Sequence, residues 1–253
     1  MELTAEQIQE NWVKLMGYIS KYISDPRRGK LIEFYNKFQD RIILMPASHK
    51  KEYHNAFPGG YVEHVNRVIE ATLKINQTWI ELGVEQNYTT EELVFSALNH
   101  DLGKMGDGEH EAYIPQTDQW RKDKLGEDYI FNTELEFMSV PDRGLYLLQT
   151  HGVEYTKNEM LAIKLHDGLY DDANKPYLMG WLPGQKLRCS LPLIVHQADF
   201  LAARVEFERE WLPKFKKQNK PVESGTKEVK KNKQQKALGT IKSNGLSDML
   251  KNL

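Results

Sequence analysis

Cysteine is almost missing from this 253-residue chain: Cys189 stands alone, so no disulfide can form within it, and a reducing compartment is expected. Long apolar runs are missing too. No stretch approaches the ~20 residues that a membrane-spanning helix needs, which leaves no membrane partner to expect. The first residues, Met1-Glu2-Leu3-Thr4-Ala5-Glu6, lack a basic start followed by an apolar stretch, so no secretory leader is expected. Strand-like alternation is scarce and no internal repeat is visible, which points to an all-α, soluble, cytoplasmic protein.

What is present suffices for a core. Hydrophobic residues make up 40% of the chain and aromatics 10%, which excludes wholesale disorder. The formal net charge of −2 conceals an asymmetry. Nine lysines lie between Lys214 and Lys236 against only Glu223 and Glu228, a local excess of +7 that leaves −9 for the remainder. An acidic body suits divalent cations better than a long nucleic-acid track.

Helical spacing organises most of the sequence. Ile8, Trp12, Leu15, Met16 and Ile19 predict a first helix, with Thr4 and Gln7 as its capping box. Leu31, Phe34, Tyr35 and Phe38 predict a second after Pro26, and the two form an expected N-terminal helical flank over 1–45. Pro46, Pro58 and the Gly59-Gly60 pair break the chain before a long helix over Tyr61 to Leu82, which carries His64 on its first turn. A third long segment starts at Thr89-Thr90-Glu91-Glu92 and ends in His100-Asp101. Gly108 to Tyr129 is polar and weakly periodic, an excursion expected to close over a substrate. Helices are expected again over Glu134–Met138, Asp142–His151 and Asn158–His166. A loop over Lys175–Cys189 leads to a last core helix, Leu191 to Phe215, carrying Asp199. The principal domain is therefore expected over 46–215. The lysine-rich remainder, 216–253, reads as a disordered basic tail, its end at Gly245–Leu253 either frayed or a short docking helix.

The chemistry concentrates in four segments: Phe57-Pro58-Gly59-Gly60-Tyr61-Val62-Glu63-His64, Asn99-His100-Asp101-Leu102-Gly103-Lys104, Leu161 to Gly168 with His166, and His196-Gln197-Ala198-Asp199. Adjacent imidazole and carboxylate can share one divalent ion only if other segments complete its coordination, and His64 and Asp199 are the candidates. Two imidazoles with two carboxylates suit Mn²⁺, Fe²⁺, Co²⁺, Ni²⁺ or Zn²⁺, with Mg²⁺ also admitted.

In this ordered set the chain resembles the HD superfamily of metal-dependent phosphohydrolases, whose pattern is H…HD…D. The resemblance implies an HD-domain helical bundle, metal ligation by His64, His100, Asp101 and Asp199, and hydrolysis of a phosphate ester or anhydride by metal-activated water. It also implies site roles for Asp101, for Lys104 in neutralising phosphate charge, and for His166 as second-metal ligand or proton donor. The competing readings, a surface lysine at a helix end for Lys104 and a helix-closing polar residue for His166, carry less weight than the site roles. Related sequences often carry a further histidine where Val140 stands here, a departure that favours one tight metal. Asn174 and Lys175 read either as part of a polar turn after Gly168 or as part of a substrate wall. His196 is expected to orient Asp199 or to pack in the core, His54 to pack the loop before the Pro-Gly-Gly turn, His110 to be solvated, and His151 to favour a helix end. Tyr113, Trp120, Tyr129 and Phe131 read either as base-stacking rings or as packing.

The leading expectation is an enzyme acting on a small nucleotide. A phosphodiesterase or exonuclease on RNA, single-stranded DNA or cyclic nucleotides is the alternative, with the basic tail available to a polyanion. A non-catalytic metal-binding signalling module is a third reading, disfavoured because all four ligand residues are present.

Overall fold

The computed structural model describes residues 3–51 and 53–218. The basic tail and terminal helix expected beyond residue 218 lie outside the described residues. A boundary falls after Phe215, and the unit Met1–Phe215 carries the core and the candidate site.

Helix α1 (Ala5–Tyr22) starts at the expected capping box of Thr4 and Gln7 and buries Trp12, Leu15 and Ile19. After α2 (Arg27–Lys37) and the single turn α3 (Gln39–Ile42) comes the long α4 (Gly60–Glu81), then α5 (Thr90–Asn99), opened by a capping box of Thr89 and Glu92. A 3₁₀ turn, Leu102–Met105, leads into β1 (Tyr113–Pro115), α6 (Gln119–Leu125) and β2 (Tyr129–Phe131). Helices α7 (Val140–Thr150), α8 (Lys157–Lys164), the short α9 (Lys175–Leu178) and α10 (Leu191–Glu206) follow. A π-helical turn, Phe207–Trp211, continues α10 into α11 (Leu212–Gln218). No helix among the described residues is long and apolar enough to cross a membrane.

Helix α4 is the hub, packing against α10, α5 and α1. Its Val65 and Ile69 share one buried cluster with Trp12 and Leu15 of α1, Phe34 and Tyr35 of α2, and Phe95 and Leu98 of α5. The two N-terminal helices thus supply part of the main core. Arg27 fastens α2 to its neighbours, donating to Glu159 at 2.7 and 2.8 Å and to Glu91 at 3.1 Å. Burial of Glu159 makes that pairing necessary, because an unmatched charge there would be costly.

Two features depart from the sequence expectation. The fold is mostly helical but includes a two-stranded antiparallel sheet, with Tyr113 paired to Phe131 and Pro115 to Tyr129, inside the expected excursion. Three-residue strands are too short to show alternation. The helix expected over Glu134–Met138 does not form. Instead the Glu136 and Met138 carbonyls accept hydrogen bonds from the Arg143 guanidinium at 3.2 and 3.0 Å, and Ser139 caps α7.

Gly103 sets how closely the turn after α5 approaches α7. A Cβ there would lie 2.0 Å from the Val140 carbonyl oxygen and 3.0 Å from the Gly144 nitrogen, both backbone atoms. Gly103→Ala should therefore push α7 away and destabilise the fold by about 1–3 kcal/mol, the usual cost of overpacking. A urea midpoint unchanged from the parent protein would show that the contact yields freely.

Candidate metal centre

Each donor reaches the site through a specific local device. Gly59 takes a left-handed φ of 80° just before α4. A Cβ at Gly60 would lie 2.1 Å from the Asn55 carbonyl oxygen, so only glycine lets the loop close this tightly onto the helix. Asn55 seals the turn, its Nδ2 donating to the Gly60 carbonyl at 3.2 Å and to Glu63 at 3.1 Å. His64 follows on α4, fully buried. His100 caps the C-terminus of α5, Asp101 begins the 3₁₀ turn, and Asp199 comes from the middle of α10.

These four side chains meet. His64 Nε2 lies 3.2 Å from Asp199 Oδ1 and 3.6 Å from Asp101 Oδ2. His100 Nε2 lies 3.4 Å from Asp101 Oδ2 and 3.7 Å from Asp199 Oδ1. Both Nε2 atoms are buried and without a hydrogen-bond partner. Two orphaned imidazole nitrogens facing two carboxylates would be costly inside a helical core, and a divalent ion satisfies all four at once. His64, His100 and Asp199 form one of the groupings close enough to hold such an ion.

The other ring nitrogens are already committed. His100 Nδ1 donates to the Ala97 carbonyl at 2.8 Å, and His64 Nδ1 donates to the Glu206 carboxylate at 3.1 Å. With one proton committed on Nδ1, Nε2 is the nitrogen left facing the carboxylates and available to an ion, which is how metal-binding imidazoles are oriented. Glu206 is held in turn by Arg67, and Arg67 by Glu63 at 2.7 Å. Helical spacing carries a signal for this support, since Glu206 lies seven residues after Asp199 and Arg67 three after His64, but only the donors themselves had been singled out.

The electrostatics follow. Burial disfavours a charged His64, but Glu206 and Asp199 outweigh it and raise its pKa to about 10. Burial opposes ionisation of Asp101 as well, yet Lys104 and His100 hold its carboxyl well below the usual range. Asp199 is likewise lowered against burial, chiefly by His64 and His100. Lys104 Nζ donates to Asp101 Oδ2 at 2.6 Å. His166 Nε2 sits 3.4 Å from Asp101 Oδ1 and 3.5 Å from Asp167; against the effect of burial these carboxylates raise it to about 9. His54 is the exception, pushed down to about 3 by burial and by the neighbouring His64, with a buried, unpartnered Nε2.

Above the donors opens a cavity of about 730 Å³, lined by Lys104, His166, Asp167, His54, His196 and Asp199 together with several aromatic rings. Lys104 and His166 both line it. Asn174 and Lys175 do not line this cavity. Asn174 is buried with its Nδ2 on the Gly168 carbonyl at 3.0 Å, and Lys175 pairs outward with Asp172 at 2.9 Å, so both serve the turn rather than a substrate wall. His196 does not orient Asp199: its Nδ1 donates to the His166 carbonyl at 2.7 Å, and its ring fills the space a Cβ on Gly168 would need. His151 packs edge-on against Phe34 and Phe38, and His110 pairs with Asp107. Of the four excursion aromatics, Tyr113 and Phe131 line the cavity, whereas Trp120 and Tyr129 do not.

Comparison with protein-family models, curated proteins and solved structures gives no match for this chain.

Because the ion-free His64 holds its proton up to a pKa of about 10, a metal must displace that proton at neutral pH. Apparent affinity should rise with pH between 7 and 9 by up to about tenfold per unit, with buffer-dependent calorimetric heats reporting proton release. The same raised pKa stabilises the ion-free fold fully below 6.5, and this contribution is lost as pH rises through about 10. Heats independent of buffer would remove His64 from the ligand set. Glu206→Ala should weaken metal binding by roughly 10- to 100-fold through loss of ring orientation.

Proposed function

We propose that this chain is a metal-dependent phosphohydrolase of the HD type, hydrolysing a phosphate ester of a nucleotide. The observation that carries the reading is the pair of orphaned Nε2 atoms of His64 and His100 facing Asp101 and Asp199 beneath a cavity that Lys104 and His166 line. The resemblance in the four sequence segments supports the same reading. His64, His100, Asp101 and Asp199 would hold the ion, and the imidazole share of the set favours Mn²⁺, Fe²⁺, Co²⁺, Ni²⁺ or Zn²⁺ over Mg²⁺. A bound ion supplies a more acidic water and a Lewis acid for a phosphoryl oxygen.

The chain's own residues do the rest. Asp167 and Asp199 line the cavity and Asp101 lies buried beneath it, so a phosphate enters only where cations offset these carboxylates. Lys104, charged and anchored on Asp101, meets a phosphate oxygen and stabilises charge that grows in the transition state. His166 keeps a proton to a pKa of about 9, which suits it to protonate a leaving oxygen; the same ring, with Asp167 and Asp199, is also spaced to hold a second ion. Val140 in place of a further histidine favours the proton donor and a single tight ion. The single cysteine fits a cytoplasmic setting.

Protein purified without chelator should carry a divalent metal by elemental analysis and hydrolyse nucleotide phosphate esters with added Mn²⁺. Asp101→Ala should lose metal and activity together. Lys104→Ala should keep its metal and lose roughly 10²- to 10³-fold in kcat, the scale of one removed electrostatic donor. Equal metal loss in both variants would make Lys104 structural, and absence of metal with no thermal stabilisation by Mn²⁺, Co²⁺ or Ni²⁺ would refute the metal site.

A further inference from the structure

The cavity above the donors is walled by aromatic rings in two separate groups. The first comes from the loop before α4 and from the hairpin: His49 lies 4.8 Å from Phe131 and 5.4 Å from Tyr53, and stacks on Tyr113 at 15° between planes. Strand pairing sets Tyr113 directly beside Phe131, so the short sheet exists at the position that presents these rings. The second comes from α10 and the turn after His166: Tyr170 stacks on Phe200 at 17°, and Phe207 follows under the Arg204 guanidinium. Phe131 is 58% exposed, Phe200 52% and Tyr170 80%, an unusual amount of bare aromatic surface around one concave site.

Chain connectivity ties the second group to the reacting centre, and shared lining ties the first. Asp199 immediately precedes Phe200, and His166 stands four residues before Tyr170; on the other side Tyr113 lines the cavity together with Lys104. Cations, by contrast, are few. Among the described residues lining the cavity, Lys104 and Arg204 are the only lysine or arginine side chains, and Lys104 already neutralises Asp101. A phosphomonoester carries roughly −1.5 to −2 at neutral pH and a polyphosphate more, whereas a diester carries a single negative charge. With a protonated His166, Lys104 and Arg204 make three cations against Asp101, Asp167 and Asp199, a balance with little surplus positive charge that suits the diester.

Resting on the hydrolytic reading above, we propose that the substrate is a phosphodiester joining two nucleosides, one base stacking on the His49–Phe131 group and the other on the Tyr170–Phe200 group, with the scissile phosphate between them at Lys104. Base–aromatic stacking uses the π-face that every base has, so recognition is tolerant of sequence. Water adds to phosphorus, the P–O bond to one nucleoside breaks, and the leaving oxygen takes a proton, giving a nucleoside monophosphate and a free hydroxyl. The ring series also continues outward, Phe207 stacking on Trp211 at 5.0 Å and Trp211 on Phe215 at 4.9 Å, so a longer single strand finds further rings beyond the dinucleotide. The mononucleotide expected from the acidic body would leave one ring group without a base.

The test uses the full-length, Mn²⁺-loaded protein with a ribo- and a deoxyribo-dinucleotide, versions carrying an abasic sugar on either side, and mononucleotides. Calorimetric Kd for a phosphorothioate-linked dinucleotide, which is cut slowly, should weaken by roughly 5- to 150-fold when either base is removed, the range for one lost stack. Phe131→Ala and Phe200→Ala should each reproduce the loss of one base, and combining the variant with its matching abasic ligand should add little further. Dinucleotides should exceed mononucleotides in kcat/KM. Equal Kd for intact and abasic ligands, or mononucleotides cut better than dinucleotides, would overturn the two-base assignment while leaving metal-dependent hydrolysis standing. Metal-loaded protein that neither binds nor cuts any of these compounds would overturn both.

Discussion

The Nδ1–H of His64 bonded to Glu206 is the contact on which the site depends, because it joins α4 to α10 at the level of the donors. His64 and Asp199 sit on different helices, and their atoms can share an ion only if those helices keep a fixed register. Packing alone tolerates small sliding of one helix on another. A buried ionic contact does not, since Glu206 of α10 loses both His64 and Arg67 of α4 if the register slips. The same chain fixes the tautomer of His64. One set of interactions therefore sets both where the ring stands and which nitrogen it offers.

His100 and His166 reach the same end by a cheaper route. Each sits at a helix C-terminus and donates Nδ1–H to a carbonyl three residues earlier, at 2.8 Å in both cases. Helix ends leave carbonyls unsatisfied, so the bond costs no separate partner. His196 repeats the device across elements by donating to the His166 carbonyl. Three of these four rings thus use backbone to select Nε2, and only His64, inside a helix where the preceding carbonyls are already spent, uses a carboxylate.

Helices α1, α4, α5 and α7 were legible in the sequence because their apolar spacing is regular, and the capping boxes of Thr4 and Thr89 mark the starts of α1 and α5. The convergence of His64, His100, Asp101 and Asp199 was legible from an ordered set of residue types rather than from any periodicity. What escaped was tertiary. Glu134 to Met138 looks helical in composition, but Arg143 uses the carbonyls that a helix would need. Asn174 and Lys175 have polar side chains beside His166 in sequence, yet the turn at Gly168 draws Asn174 inward and leaves Lys175 outside. The hairpin was hidden because its strands gain their order from pairing across a 13-residue connection and not from their own sequence.

Charge shows the same limit from the other direction. The acidic balance outside the lysine run is a property of the whole surface, and at physiological ionic strength surface charges more than about 8 Å away are largely screened. Inside the cavity a handful of groups decides the field, and there Asp101 and Asp199 are ionised while His64, His166 and Lys104 are held cationic. A divalent ion entering this group replaces the His64 proton rather than adding to it, so the local charge rises by about one unit, not two. That modest increment would let the proposed singly charged diester settle beside Lys104 without leaving a large uncompensated charge among aromatic walls. The whole-chain charge bears on how a polyanion approaches; the few groups on the cavity floor bear on what can stay.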